Sequence, residues 1–177
     1  VEQNSKIGKA KDLDLGDSQI INVESGGFGK APRGRLDKKF DAASVSPGVN
    51  VFEKMISGAY IGPLCLVTAQ AAAKAGLFSK PTAARLAAVE VATTKDFSDF
   101  LSRPETGDNA LTAALAEATD DDVVMMYHLV DALTERAAKL TAANLSSAAL
   151  KSGKGRNPCR PVCIVAEGTT FYRLNSL

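Results

Sequence analysis

The 177-residue sequence has no tryptophan, one histidine and three cysteines, and these scarcities argue against several kinds of site. Three cysteines (Cys65, Cys159 and Cys163) cannot form an even disulfide set, and a CxxxC pair with one distant histidine is a poor match to zinc-ligand spacing. His128 stands in an apolar helical stretch without a recognisable serine or cysteine partner, which favours a structural histidine over a catalytic base. We therefore expect a reduced, cytoplasmic protein without a metal site.

The sequence also lacks a dominant charge and a long apolar run. Its 21 basic and 20 acidic residues give a net charge of +1, which argues against broad capture of nucleic acid or of an anionic membrane surface. The longest apolar run, residues 59–73, includes Pro63, Thr68 and Gln70 and is too short to cross a bilayer, while residues 1–18 are too polar for a signal peptide. We expect a small molecule or another protein as partner, and neither nucleic acid nor a membrane.

Hydrophobic residues make up 45% of the chain and charged residues 23%, values typical of a globular domain. Apolar spacing predicts a long helix from Ser46-Pro47 to Gly76, bent at Pro63, and a further long helix of about seven or eight turns after Asp120. Shorter elements are predicted as helices over 81–91 and 109–118, a single helical turn over 96–101, and a surface connection over 30–46 with one helical turn. Two β-prone runs, 20–23 and 162–165, predict neighbouring strands, and a second strand is expected after the turn at Gly168.

The stretch INVESGGFGK, residues 21–30, places one carboxylate, Glu24, where the first predicted strand gives way to three glycines. Taken alone, this pattern is more typical of an ordinary turn than of a binding site. The basic segment KSGKGRNP lacks the spacing and the serine or threonine of a Walker phosphate loop, and a solvated loop is favoured there.

Four segments taken in order carry more information: INVESGGFG, DKKFDAASVSPGVNVFEKMISGAYIG, RAAKLTAANLSSAAL and VAEGTTFY. They resemble the carboxyl-terminal half of the eukaryotic-type hexokinases, with FEKMISGxYxG as the most specific portion and NxExGxFG as the next. The resemblance is strong over 20–76, moderate over 120–172 and thin over 77–119. It departs from the family at Ser25, Asn50 and Glu167, where tryptophan, glutamine and aspartate are usual.

The resemblance implies a sugar site in which Glu24 and Glu53 accept hydrogen bonds from glucose hydroxyls, with Asn50 as a third substrate-binding residue. Ionised carboxylates suit this role because each offers two acceptor oxygens to neighbouring O–H donors. The alternatives are a surface turn for Glu24 and an exposed acid early in a helix for Glu53. Nucleotide contacts are implied, with ordinary turn residues as the alternative, at Gly58, Ala59, Thr94, Lys95, Ser98, Gly168 and Thr169.

The resemblance also implies an α/β fold: residues 1–177 would form a single, helix-rich segment of the larger lobe of an actin-like (ribonuclease-H-like) kinase, incomplete at both ends. The parent would use ATP and Mg²⁺ to phosphorylate glucose or a similar hexose at its 6-hydroxyl. The catalytic aspartate and the phosphate loops are expected outside these residues, so the segment alone should be inactive. A non-catalytic sugar sensor, suggested by Ser25, and a helical interaction scaffold remain as alternatives.

Overall fold

In the computed structural model, which describes residues 2–8, 12–104 and 107–174, about half of the chain forms α-helices. The elements in chain order are β1 (Glu2–Gln3), β2 (Ser18–Gln19), α1 (Arg35–Ala43), α2 (Glu53–Ile56), α3 (Ile61–Lys74), α4 (Lys80–Ala88), α5 (Thr94–Ser102), α6 (Ala110–Leu115), α7 (Asp120–Lys151) and α8 (Thr169–Arg173), with 3-10 turns at Asn4–Lys6 and Ser25–Gly27. The strands β1 and β2 pair antiparallel, with Glu2 opposite Gln19 and Gln3 opposite Ser18. No helix within the described ranges is both long and apolar enough to cross a membrane.

The core lies between α3, α4, α5, α6 and the first half of α7. Each helix turns an apolar stripe inward, since residues three or four apart share one helix face. Its fully buried apolar side chains include Cys65, Leu86, Phe97, Leu111, Met126 and Val130. Burial raises the pKa of the Cys65 thiol to about 12, so this cysteine is an inert core residue. All three cysteines are free thiols, as the composition suggested.

The first helix, α1, is fixed to the long helix α7 by a bidentate ion pair. Arg136 donates from Nη1 and Nη2 to the two carboxylate oxygens of Asp37, at 2.9 and 2.8 Å. Asp37 is buried, and it also caps its own helix by accepting from the Gly34 backbone N–H at 2.7 Å. This contact sets the position of the segment that runs from α1 into α2.

Several predicted helices are confirmed, with changes in length. Thr119 caps α7 by accepting from the Asp122 backbone N–H at 3.2 Å, and the helix runs 32 residues, about nine turns rather than seven or eight. The helices α4 and α6 match the predicted elements at 81–91 and 109–118. The single turn predicted over 96–101 is a nine-residue helix, α5, and the single turn predicted within 30–46 is the nine-residue α1.

The single helix predicted from Ser46-Pro47 to Gly76 is wrong, because the chain forms two helices, α2 and α3, separated by residues 57–60. Ser46 is not a helix cap: its carbonyl accepts from the Val49 backbone N–H at 3.3 Å and closes a turn. Pro63 does not bend a helix either. It lies in the first turn of α3, where a missing N–H leaves no hydrogen bond unmade.

The strands predicted over 20–23 and 162–165 are also wrong. Both segments are irregular, and their apolar side chains are largely exposed: Ile20 by 85% and Val165 by 82%. A strand requires a neighbour to take its backbone hydrogen bonds, and no residue in the described ranges pairs with either segment. The second strand expected after Gly168 is instead the helix α8. The described residues thus show the helix-rich part of the predicted α/β class and only one small sheet.

The buried carboxylate of Asp122 joins the starts of α4 and α7. Its Oδ1 accepts from the Ser79 backbone N–H at 2.7 Å, and its Oδ2 accepts from Ser79 Oγ at 2.6 Å, Thr82 Oγ1 at 2.9 Å and the Thr119 backbone N–H at 3.1 Å. Burial alone would raise the pKa of Asp122, but these hydrogen bonds outweigh it and lower the pKa well below its usual value.

We expect Asp122→Asn to lower the free energy of unfolding at pH 7 by about 2 to 3 kcal/mol, because the amide keeps one acceptor oxygen and loses the charge. A carboxylate with a lowered folded-state pKa stabilises the fold above its unfolded pKa of about 3.9, and this contribution is lost as the pH falls towards the folded value. The difference between wild type and variant should therefore shrink below about pH 4. Urea titrations from pH 7 to pH 3 measure it, with the exposed Asp121→Asn as the matched control. Equal losses in the two variants would contradict the assignment.

Candidate functional site

The segment that carries Glu24 forms a tight turn in an unusual backbone conformation. Glu24 has φ 49° and ψ 42°, the left-handed region that residues other than glycine seldom adopt, and the 3-10 turn Ser25–Gly27 follows it. Asn22 Nδ2 donates to Glu24 Oε1 at 2.5 Å. A strained residue of this kind persists only where its surroundings hold it, and such positions are concentrated at binding sites.

Glu53 begins α2 and lies directly against that turn. The Phe52 backbone N–H donates to the Gly26 carbonyl at 3.1 Å, which ties α2 to the turn. A Cβ atom on Gly26 would come within 3.3 Å of Glu53 Cβ and 3.5 Å of Glu53 Oε2, so a glycine at this position lets the glutamate approach the backbone. The predicted approach of Glu53 to the Glu24 segment is thus present in the structure.

Asn50 completes this group from the other side. It too has a left-handed backbone, with φ 49°, and its Oδ1 lies 3.8 Å from where a Cβ atom on Gly27 would be. The three residues predicted for the sugar site therefore meet around Gly26 and Gly27. Asn50 is exposed and does not line the cavity that the two glutamates share.

A cavity of about 930 Å³ opens beside the two glutamates, and we call it the carboxylate cavity. Its walls come from residues 22–26, from α2 with residues 57–58, from one face of α7, and from the segment 164–171. Glu24 is exposed and Glu53 half-buried, so both carboxylates can meet a ligand from solvent. Glu167, a third acid, lines the same cavity.

A second cavity, of about 530 Å³, lies between α5 and α8, and we call it the hydroxyl cavity. Thr94 shapes its wall, because its Oγ1 accepts from the Gly62 backbone N–H at 2.8 Å and donates to the Gly58 carbonyl at 2.5 Å. Ser98 Oγ donates to the Arg173 carbonyl at 3.1 Å and so joins α5 to α8. The residues that line it are mainly hydroxyl-bearing or charged: Thr93, Thr94, Lys95, Ser98, Asp99, Thr169, Thr170 and Arg173, together with Gly58 and Leu174.

Most residues predicted to contact a nucleotide line the hydroxyl cavity, namely Gly58, Thr94, Lys95, Ser98 and Thr169. Two do not. Ala59 is exposed outside both cavities, and Gly168 lines the carboxylate cavity instead.

Arg173 also lines the hydroxyl cavity, and the sequence analysis missed it. In the predicted strand after Gly168, Thr169 and Thr170 would have pointed to opposite faces, so Arg173 could not have joined both of them. In α8, by contrast, Arg173 lies four residues after Thr169 and three after Thr170, so all three reach one side of the helix.

The two cavities meet, because Gly58 and Thr170 line both of them. A Cβ atom on Gly58 would lie 2.1 Å from Thr170 Oγ1, so only glycine lets α8 approach the 57–60 connection this closely. The site thus sets hydrogen-bond acceptors suited to a polyhydroxyl ligand beside a cavity that carries hydroxyls, Arg173, and Lys95 in an ion pair with Asp99. Within the described ranges, no group of three or more His, Cys, Asp or Glu side chains could hold a metal ion.

The chain is similar to known proteins of one family. The family model described as Hexokinase matches residues 1–177. Human hexokinase-1 is 35% identical over 147 residues, covering 77% of this chain and 16% of that protein. Human hexokinase-3 is 31% identical over 175 residues, which cover 90% of this chain and 18% of that protein. Hexokinase-5 of Oryza sativa subsp. japonica is 30% identical over 150 residues, which cover 80% of this chain and 30% of that protein.

The chain therefore spans between about a sixth and a third of the length of these relatives. The similarity covers both the Glu24 turn and the start of α2, and the family model extends over every element described above. Members of this family have the actin-like ATPase fold, which accounts for the α/β expectation. The chain belongs to the hexokinase family, as the resemblance predicted.

Proposed function

We propose that residues 1–177 are one segment of the larger lobe of an ATP-dependent hexokinase, which phosphorylates glucose or a similar hexose at the 6-hydroxyl. The observation that carries the proposal is the junction of the two cavities at Gly58 and Thr170. Transfer of a phosphoryl group requires donor and acceptor to be held next to each other, in line, with charge stabilisation around the phosphate. A carboxylate-lined cavity that adjoins a hydroxyl- and cation-lined one suits this arrangement.

In the carboxylate cavity, Glu24 and Glu53 would bind the hexose by accepting hydrogen bonds from neighbouring hydroxyls. Their carboxylates approach the cavity from two different elements, so together they would both bind the hexose ring and set its orientation. Asn50, which lies against Gly27, is the third proposed sugar-site residue. Its amide offers both a donor and an acceptor, which a hydroxyl can use in either sense.

In the hydroxyl cavity, Lys95 and Arg173 would attract the phosphates of ATP, and the hydroxyl of Thr169 would donate to a phosphate oxygen. Thr94 and Ser98 would shape the nucleotide site, because their hydroxyl protons are already donated to backbone carbonyls. Mg²⁺ bound with the nucleotide would neutralise part of its charge. Mg²⁺ commonly takes one or two protein carboxylates together with substrate phosphates, and we assign its ligands to the phosphates and to other parts of the full-length protein. We assign no catalytic base within this chain.

The experiment that tests the proposal compares the full-length protein that carries this chain with residues 1–177 alone. We expect the full-length protein to phosphorylate glucose with ATP, and residues 1–177 to show no turnover above background, because we place the base and the phosphate loops elsewhere. A coupled assay that follows ADP release, with and without glucose, measures both. Hexose-dependent turnover by the isolated chain, abolished by Glu24→Ala, would refute this division of the site.

Ser25 supports a second candidate, a non-catalytic sugar sensor of the same family. Ser25 Oγ accepts from Asn144 Nδ2 at 2.8 Å, so a small polar contact to α7 stands where a tryptophan is usual in the family. A sensor would bind glucose without phosphorylating it. Calorimetric titration of the full-length protein with glucose, beside the turnover assay, separates the two, and the absence of both binding and turnover would leave the helical scaffold.

A further inference from the structure

We propose that Lys54 is a positioning residue for the sugar site, and that its buried ion-pair network holds Glu53 and Asn50 in their binding geometry. This inference rests on the proposed function of the carboxylate cavity. Lys54 follows Glu53 directly in α2, but successive residues of a helix diverge by about 100°, and its side chain points away from the cavity. It is absent from the residues that line either cavity.

The ammonium group of Lys54 is buried, and all three of its N–H donors are used. It donates to Asp41 Oδ1 at 2.6 Å, to Ser44 Oγ at 2.9 Å and to the Ser46 carbonyl at 2.5 Å. The Lys54 residue is only 4% exposed. A charge removed from water this fully persists only with complete hydrogen bonding, which these three oxygens supply.

Asp41, the partner of Lys54, extends the network in two directions. Its carboxylate accepts from Arg33 Nη1 at 3.2 Å and from the Gly48 backbone N–H at 3.1 and 3.2 Å. The hydrogen bond from Lys54 holds the pKa of Asp41 below its usual value, with smaller contributions from Gly48 and Arg33, so the carboxylate stays ionised at neutral pH. The network therefore links α1, the loop 44–50 and α2.

The loop that this network anchors ends at Asn50. The Lys54 backbone N–H donates to the Asn50 carbonyl at 3.2 Å, so Lys54 holds the loop by its main chain as well as by its side chain. Two residues after Asn50, the Phe52 backbone N–H donates to the Gly26 carbonyl. Asn50 keeps a left-handed backbone under these restraints, and such a conformation relaxes when its surroundings loosen.

An apolar residue would fill the Lys54 position at lower cost if packing were its only role. Replacing a buried ion pair by apolar groups is often neutral or stabilising, because desolvation opposes the attraction between the charges. The charged network adds direction, because hydrogen bonds fix both the distance and the angle between the loop 44–50, which ends at Asn50, and the helix α2, which begins at Glu53. Directional restraint of that kind matters for a site that must meet several hydroxyls at once.

The test measures hexose and ATP saturation of the full-length protein with Lys54→Met, Lys54→Arg and Asp41→Asn. We expect Lys54→Met and Asp41→Asn to raise the KM for glucose about tenfold, with the KM for ATP changed less than about twofold. Lys54→Arg, which keeps the charge, should recover part of the loss. A purely structural role would reduce the amount of folded enzyme, which lowers the maximal rate and leaves KM for glucose unchanged.

Asp122→Asn is the matched control, because Asp122 is also a buried, multiply bonded carboxylate but lies in the α4–α7 contact away from both cavities. We expect it to lower the melting temperature without raising the KM for glucose. If Lys54→Met does not fold, Ser44→Ala decides the question, since it removes one acceptor of Lys54 and should raise the KM for glucose two- to threefold.

Two failures are distinguishable. A full-length wild type that neither binds nor phosphorylates hexose would refute the proposed function itself. If the wild type phosphorylates glucose but folded Lys54→Met has an unchanged KM for glucose, only the positioning role is refuted. If Lys54→Met does not fold, an unchanged KM for glucose in Ser44→Ala refutes that role.

Discussion

Replacing Glu24 or Glu53 by alanine should weaken glucose use by the full-length protein by about ten- to a hundredfold in kcat/KM. Each carboxylate is proposed to accept hydrogen bonds from sugar hydroxyls, and a hydrogen bond to a charged group contributes about 1.5 to 3 kcal/mol. At 1.36 kcal/mol per tenfold change in rate, that range gives the expected factor. Gln replacements should fall between, because an amide keeps one acceptor oxygen but loses the charge.

The defect should concern the sugar more than the nucleotide, since neither carboxylate lines the hydroxyl cavity. Titrating glucose at saturating ATP, and ATP at saturating glucose, separates the two effects. Glu135→Ala is a suitable control, because Glu135 is an exposed acid on α7, paired with Lys139, and lines neither cavity. An unchanged response to glucose in both Glu24→Ala and Glu53→Ala would remove the sugar-site assignment.

The family resemblance, rather than the local pattern, indicated Glu24 and Glu53. The structure places both beside one cavity, and their binding of a sugar stays a prediction. Glu24 precedes glycines that permit a tight turn, and Glu53 starts a helix whose backbone is tied to that turn through Phe52 and Gly26. Their local conformation was not predicted correctly, because Glu24 follows an irregular segment instead of a strand and Glu53 begins the short helix α2 instead of lying inside a long one. The signal for Lys54 was weaker, since a lysine in a helical stretch is more often solvated than buried.

The errors came from features that depend on distant contacts. The run 162–165 has the composition of a buried strand, yet a strand exists only where another segment takes its hydrogen bonds, and composition does not report that partner. The break between α2 and α3 was likewise missed, because apolar spacing continues through residues 57–60. In the structure, the backbone of this connection packs against Thr170 of α8 at Gly58. A strand after Gly168 would place Thr169 and Thr170 on opposite faces, so only the helix α8 brings both threonines and Arg173 to one cavity.

The largest structural effect is expected from Gly62→Ala, which two physical arguments predict in opposite directions. Gly62 lies in the first turn of α3, and helix propensity alone would predict that alanine stabilises it by roughly 0.5 to 1 kcal/mol. Close packing predicts the reverse. A Cβ atom at this position would lie 2.2 Å from the backbone nitrogen of Thr94 and 2.3 Å from the carbonyl carbon of Thr93.

Those two atoms belong to the backbone at the start of α5, so a side-chain rotation cannot relieve the clash. The helices α3 and α5 would have to separate, which would expose apolar core surface and strain the bonds that Thr94 makes to Gly62 and Gly58. Overpacking of a well-filled core costs about 1 to 3 kcal/mol and occasionally more, and a clash between two backbones belongs at the upper end of that range. The packing cost therefore exceeds the gain in helix propensity.

We accordingly expect Gly62→Ala to lower the free energy of unfolding of residues 1–177 by about 3 kcal/mol. Gly8→Ala is the matched control, because a Cβ atom on Gly8 would have no neighbour within 4 Å. Urea denaturation of both variants measures the difference, and hydrogen exchange should show the loss of protection concentrated in α3 and α5. In the full-length protein, any Gly62→Ala enzyme that folds should lose affinity for ATP more than for glucose, because Thr94 lines the hydroxyl cavity and does not line the carboxylate cavity. Equal stability of the two variants would mean that α3 and α5 do not approach as closely as these distances require.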